Sequence, residues 1–447
     1  PQSKPDGFAS SLGEGASGVP ANLALTPETA NPSGETVVQK RPQAFLNHKY
    51  KNIFPLNMAR AQAEVIPNRP APALQSFSRN DTIGHRKILC RRGLFRRSGH
   101  RKKEAVIMSM NTVPERLAAL RAAMAANGVA VYLIPVGDPH ASEYLPCHYT
   151  SLTWFSGFHG ENSNFVVTRT ESALWADGRY FVQAEKEIAG TEIKLQRMGE
   201  PGVPTVEEYC ANALNEGEAL GLCGLTASTA LVNDLKKALE KKGASIKPLN
   251  LEDELWTEGR PALPDTPAWI LPKEYAGFSP AEKLDQLRSK LKELGCTAQF
   301  VGKLDHLAWL LNLRAMDIEC TPYAMAYCYV TPSRAVLFIN TARVTPEAKA
   351  ELEANGITLA EYDDVLEFLA AETEPQTVLA ETATVNYAVY QVLEQNPALT
   401  VKDGTDPLLM MKGVKNETEL AHTKQAHIRD AVAMVRFQIE LEKRLEA

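Results

Sequence analysis

The sequence predicts an α/β protein built twice over and closed by one long helix. Three observations carry this. Helical and strand patterns alternate from Pro114 onward, their order recurs further along the chain, and Lys412–Ala447 forms an amphipathic stretch with no visible partner upstream.

The first element is the least protein-like. Residues 1–107 hold 17 Lys/Arg against 7 Asp/Glu, and residues 108–447 hold 31 against 47, so a net charge of −6 conceals +10 followed by −16. Up to Glu35 the chain is rich in Gly, Pro and Ser, and from Thr82 to Lys103 nine basic residues occur with no acidic one. Neither stretch supplies a core. Arg86-Lys87, Arg91-Arg92, Arg96-Arg97 and Arg101-Lys102-Lys103 fit a nucleic-acid or anionic-membrane tail held by phosphate contacts, or a solvated tail. We read residues 1–109 instead as upstream read-through. Lys103-Glu104-Ala105 can be encoded by a purine run just before Met108 and Met110, where translation is expected to start. An upstream in-frame Met codon with its own ribosome site would overturn that.

The globular part follows. Pro114-Glu115-Arg116-Leu117 opens a helix with Leu117, Leu120 and Met124 on one face, stopped by Asn127-Gly128, and Val129 to Ile134 reads as a buried strand. The same pattern returns at one offset as Leu284, Leu287, Arg288, Leu291 and Gly295, followed by the strand Ala298 to Val301. Trp154-Phe155-Ser156-Gly157-Phe158 answers to Trp309-Leu310-Leu311-Asn312-Leu313. The hairpin Phe165–Thr168 with Ala173–Trp175 answers to Tyr329–Thr331 with Ala335–Ile339. Leu220–Cys223 before the helix Leu231–Leu239 answers to Val378–Ala380 before Val385–Leu393. Each copy is expected to be helix, strand, hairpin, helix, strand, helix, a mixed sheet covered by helices. The copies span 110–272 and 273–410, joined by a proline-rich stretch from Trp256. In 411–447, Asn416 is an N-cap and Glu419 its capping-box partner. Leu420, Ile428, Ala431, Val432, Val435 and Ile439 make one apolar face, whose exposure would be the sign that its partner lies elsewhere.

Composition excludes other classes. Apolar content of 44% and charged content of 23% are those of an ordinary globular chain, and no run approaches a membrane span or a signal peptide, so a cytoplasmic protein without membrane or nucleic-acid partners is expected. Seven cysteines without a Cys-x-x-Cys pair suit reduced thiols.

Several segments together resemble three-domain Xaa-Pro aminopeptidases of the creatinase and prolidase superfamily. They are Gly137–Tyr144, Phe155–Phe158, Trp175–Ala184, Leu255-Trp256 with Arg260-Pro261, Ala308–Arg314 with Asp317-Ile318, Lys415–Glu417 and Ala426–Asp430. The resemblance covers residues 110 to 447. It implies two creatinase-type N-terminal domains and then the first helix of a pita-bread catalytic domain, in which two Asp, one His and two Glu hold a pair of divalent ions, often manganese. It also implies Xaa-Pro peptides as substrates and a homodimer. None of those five ligands falls on a position of this chain, so no catalytic or metal-binding residue is assigned, and the chain alone is expected to be inactive. Two departures, His159–Ser163 after Gly157-Phe158 and Ala315 after Arg314, bear on local loops. The rival reading is a non-catalytic peptidase-like binding or dimerisation module. A coding sequence continuing past Ala447 into the five ligands would decide against it.

Candidate residues within the chain are few. Arg179, Arg314 and Asp317 are possible cleft or interface contacts. Arg179 is expected to pair with Asp177 or Glu185 in a tight turn with Gly178 at an unusual φ, and Arg314 and Asp317 to form an internal ion pair. His140, His148 and His159 with Asp138, Glu143 and Cys147 have no metal-ligand spacing, and Glu419 with His422 has no second pair to complete a metal site.

Overall fold

In the computed structural model, residues 112–446 are described; the reading of residues 1–109 therefore lies outside the described residues. The first copy runs α1 (Val113–Ala126), β1 (Val131–Pro135), α2 (Ser151–Ser156), β2 (Asn164–Thr168), β3 (Ser172–Ala176), α3 (Phe181–Glu187), β4 (Ile193–Arg197), α4 (Val206–Asn212), β5 (Ala219–Leu222), α5 (Thr229–Glu240), β6 (Ser245–Pro248) and α6 (Leu251–Leu255). A joint follows, with β7 (Trp269–Ile270) and α7 (Lys273–Ala276).

The second copy runs α8 (Pro280–Glu293), β8 (Ala298–Val301), α9 (Leu304–Leu310), β9 (Leu313–Arg314), β10 (Tyr327–Val330), β11 (Ala335–Phe338), α10 (Pro346–Ala354), β12 (Ile357–Ala360), α11 (Val365–Ala370), β13 (Gln376–Leu379), α12 (Tyr387–Gln395), β14 (Leu399–Lys402) and α13 (Leu408–Gly413). The closing helix is α14 (Glu417–Glu446).

The duplication holds strand by strand. The sheets are ordered β4-β3-β2-β1-β5-β6 and β12-β11-β10-β8-β13-β14, each with an antiparallel centre and parallel flanks. Helices cover both faces, as buried strands such as Val131–Pro135 require. The expected outline lacked the outer strands β4, β6, β12 and β14. They are partly exposed and only four or five residues long, too short for their alternation to stand out.

Equivalent residues make equivalent bonds. Helices α1 and α8 both begin with Pro in the first turn and a complete capping box, Thr112 with Glu115 and Ser279 with Glu282. Both end at a glycine with positive φ, Gly128 at 68° and Gly295 at 67°. Lys247 donates to Asn127 O at 2.6 Å and Lys402 to Leu294 O at 2.7 Å.

The copies face each other across a local two-fold. Thr229 N donates to Val385 O at 3.0 Å and Tyr387 N to Ala227 O at 2.9 Å. Ala230 N donates to Thr382 O at 2.8 Å and Ala388 N to Gly224 O at 2.9 Å. The N-caps of α5 and α12, Ser228 and Asn386, form the antiparallel bridge between them. Each side offers the same patch, which is the definition of an isologous interface.

Candidate functional site

Two places combine polar chemistry with a cleft or a junction. The first is a cleft of about 190 Å³ between the copies, at the carboxyl ends of β1 and β5, lined by His148, Glu252 and Arg260 of the first copy and Tyr327, Tyr362 and Asp363 of the second. One wall is latched by His140. Its Nδ1 donates to Gly302 O at 2.8 Å, which leaves Nε2 to accept from Tyr362 Oη at 2.8 Å. Burial pushes the His140 pKa down, so the neutral ring matches these bonds.

Glu252 is the unusual group of the cleft. It is buried beside Tyr132, whose oxygen receives Leu251 N at 3.0 Å and lies 3.0 Å from Leu249 O and in hydrogen-bond contact with Glu252 Oε2. One phenolic hydrogen cannot serve both acceptors, so a proton on Glu252 completes the set. Burial raises the Glu252 carboxyl to about 7, in agreement with that count. Its Oε1 has no partner.

The second place is where the chain leaves the second copy. Asn416 and Glu419 form the expected capping box, at 2.9 and 3.0 Å. The Asn416 side chain also donates to Ala276 O at 3.0 Å, and Trp309 Nε1 donates to Glu419 Oε1 at 2.9 Å. Lys412 pairs with Asp305, and His422 lies 3.3 Å from Glu274 O. Lys283, 1% exposed, donates to Trp309 O and Asn312 Oδ1, both at 2.8 Å, with its ammonium 4.3 Å over the Trp309 ring. Burial lowers its pKa to about 8.

Beyond that junction α14 is uncovered. Ile428, Val435 and Ile439 are 56%, 55% and 47% exposed. Met434, Phe437, Leu441 and Leu445 are also exposed. They lie roughly 100–180° around the helix from the first set, at 3.6 residues per turn. The sequence reading saw one apolar face; the helix has two.

The remaining candidates fall as follows. Arg179 grips Asp177 through Nε at 3.1 Å and Nη2 at 2.6 Å, and holds that carboxyl below the usual range; Glu185 pairs with Arg197 instead. Gly178 is not among the glycines with positive φ, so the turn does not depend on an unusual conformation there. The expected pair between Arg314 and Asp317 does not form. Asp317, with a fully buried side chain, pairs with Arg343 at 2.5 Å and accepts from Thr266 Oγ1 and Met325 N, both at 2.6 Å. Nearness in sequence misled, because Arg314 belongs to β9 and turns back to the carbonyls of Ala308 and Leu313. Of the histidines, His148 bonds Pro261 O at 2.7 Å and His159 lies 3.4 Å from Glu187. Among the described residues no three His, Cys, Asp or Glu side chains converge as a metal site, and no helix is long and apolar enough to cross a membrane. Of the two departures, Gly160 packs on the Phe158 ring so closely that a Cβ would lie 2.1 Å from Cζ, and Ala315 is fully buried.

Comparison with known proteins adds the context. Two family models described as creatinase/prolidase N-terminal domain match residues 116–253 and 259–419, together about two thirds of the chain. Aminopeptidase P2 of Arabidopsis thaliana is 33% identical over 363 residues, 74% of this chain and 51% of that protein. The probable Xaa-Pro aminopeptidase P of Sordaria macrospora is 35% identical over 350 residues, 76% of this chain and 56% of that protein. The crystal structure of X-prolyl aminopeptidase from Caenorhabditis elegans, described as a cytosolic enzyme with a di-nuclear active site, aligns with a TM-score of 0.69 at 31% identity, over 74% of this chain and 56% of that one. The chain thus spans about half the length of the relatives it matches.

Proposed function

Because this chain belongs to the creatinase/prolidase N-terminal domain family, we propose that it is the non-catalytic part of a metal-dependent aminopeptidase that removes the first residue from Xaa-Pro peptides. We place its two N-terminal domains at 110–272 and 273–410, and the first helix of the catalytic domain at 411–447. The observation that carries the reading is α14. Its start is capped and docked on the second copy, yet its large apolar side chains lie exposed on two sides. A helix with that pattern is built to lie between two layers of a further domain.

The described residues do not fit a pair of divalent ions, manganese in our reading. Such a pair has to be held by that further domain, and no catalytic step is assigned to the residues here. We propose a cytosolic homodimer as the setting of the complete enzyme. Arg179, on an exposed turn, and Arg314, beside the first turn of α14, are its possible interface and cleft contacts; Asp317, proposed with them from the sequence, is held in the interior by Arg343.

The test is direct. Purified and supplied with manganese, the chain is expected to release no N-terminal residue from an Xaa-Pro peptide, whereas a polypeptide extended through the matching catalytic half is expected to do so. Manganese-dependent release by the chain alone would overturn the assignment.

A further inference from the structure

The duplication supplies an internal control for the junction at α14. In each copy the second helix carries a tryptophan, Trp154 or Trp309, and a cation from the first helix covers its ring. Arg116 lies 4.7 Å over Trp154 and donates to its carbonyl at 2.5 Å; Lys283, at the matching position, lies 4.3 Å over Trp309 and donates to its carbonyl at 2.8 Å. In each copy the same tryptophan then receives the chain that leaves the copy. Trp256, just past α6, stacks on Trp154 at 5.5 Å and 16°, and Glu419, in the first turn of α14, accepts the Trp309 indole N–H at 2.9 Å.

We propose that this tryptophan is the post on which each copy sets its departing segment, and that Trp309 and Glu419 are the residues that fix the direction of α14. A second contact beside it points the same way. Gly277, at φ 80°, leaves room for the Asn416 amide, since a Cβ there would lie 2.5 Å from Asn416 Oδ1. Two anchors, one polar on Ala276 and Gly277 and one on the indole, define an axis where a single capping bond would leave a swivel. The Lys283 ammonium holds both the ring face and the Trp309 carbonyl and adds positive charge near Glu419. Whatever is attached to α14 inherits that direction. This inference does not depend on the peptidase reading, because its test observes the helix and not turnover.

The test uses the full chain and compares amide exchange in wild type, Trp309→Phe and Trp154→Phe. Trp309→Phe keeps the ring and the Asn416–Glu419 box but removes the indole donor. Residues 419–424 are expected to exchange about tenfold faster, as for loss of a hydrogen bond to a charged acceptor, with Leu284–Leu291 unchanged. Trp154→Phe is expected to leave residues 419–424 within about twofold of wild type, because Trp256 uses the ring face and not the N–H. Should Trp309→Phe fail to fold, the indole N–H signals of the five tryptophans decide. In Glu419→Ala one of them is expected to move, and Glu419→Gln, which keeps an acceptor and the cap, to restore it. Unchanged exchange in folded Trp309→Phe, or no moved indole signal in Glu419→Ala, would overturn the proposal.

Discussion

Arg121 in the first copy and Arg288 in the second each donate from Nε to a threonine carbonyl at 3.0 Å, Thr168 and Thr331, and each threonine closes the same turn back onto its own strand. The buried charges of the two copies are, by contrast, unrelated. Tyr132 and Glu252 in the first are matched by Gln299 and Leu409 in the second, while the second buries Asp317 against Arg343. Bonds that define the fold have been kept twice, whereas the acid at Glu252 and the pair of Asp317 with Arg343 occur once. A buried charge present in one copy only is not needed to build this sheet, so each has to be explained by its own surroundings.

The sharpest way to break the comparison is at Asp317. Replacing it with Ala leaves Arg343 without its carboxylate in the interior and is expected to cost about 3–5 kcal/mol in urea unfolding. Asp317→Leu with Arg343→Met is expected to recover most of that, because both charges then go. Next comes Glu252. Its folded carboxyl titrates near 7, above the ordinary value of 4.5, so the folded state holds a proton that the unfolded state has released between those values. Stability is therefore expected to be fully present below about pH 4.5 and to fall by up to about 3 kcal/mol as pH rises through 7. Glu252→Gln, which still donates to Tyr132, is expected to flatten that slope, and a wild-type slope in the variant would count against a neutral Glu252. The smallest effect tests what the copies share: Thr112→Ala and Ser279→Ala are each expected to cost about 1 kcal/mol, equally, as matched N-caps. A large inequality would mean that one copy carries the stability of both.

The sequence made the shared part legible and the unshared part obscure. Leu117, Leu120 and Met124 repeat as Leu284, Leu287 and Leu291 because a helix over a sheet demands that spacing, and repetition doubles the signal. The capping box at Asn416 could be read for the same reason, since both partners lie within one turn. The pairing of Asp317 with Arg343, and of Glu252 with Tyr132, could not. Those partners are 26 and 120 residues apart and meet only once the sheet has formed. Arg314 was the near and wrong choice for Asp317. The second apolar side of α14 was in the sequence all along, in Met434, Phe437, Leu441 and Leu445. A search for one face passes over a helix with two.

The two-fold between the copies has a consequence for how such a pair can change. Two identical subunits meeting through the patch at Ser228 and Asn386 would find each other only by diffusion, and any substitution would appear on both sides at once. Joined through one chain, they meet at the millimolar effective concentration that short tethers provide, whatever the amount of protein in solution. Neither half then has to recognise itself. One is free to acquire the neutral acid at Glu252 and the other the buried pair of Asp317 with Arg343, while the seam between them stays closed.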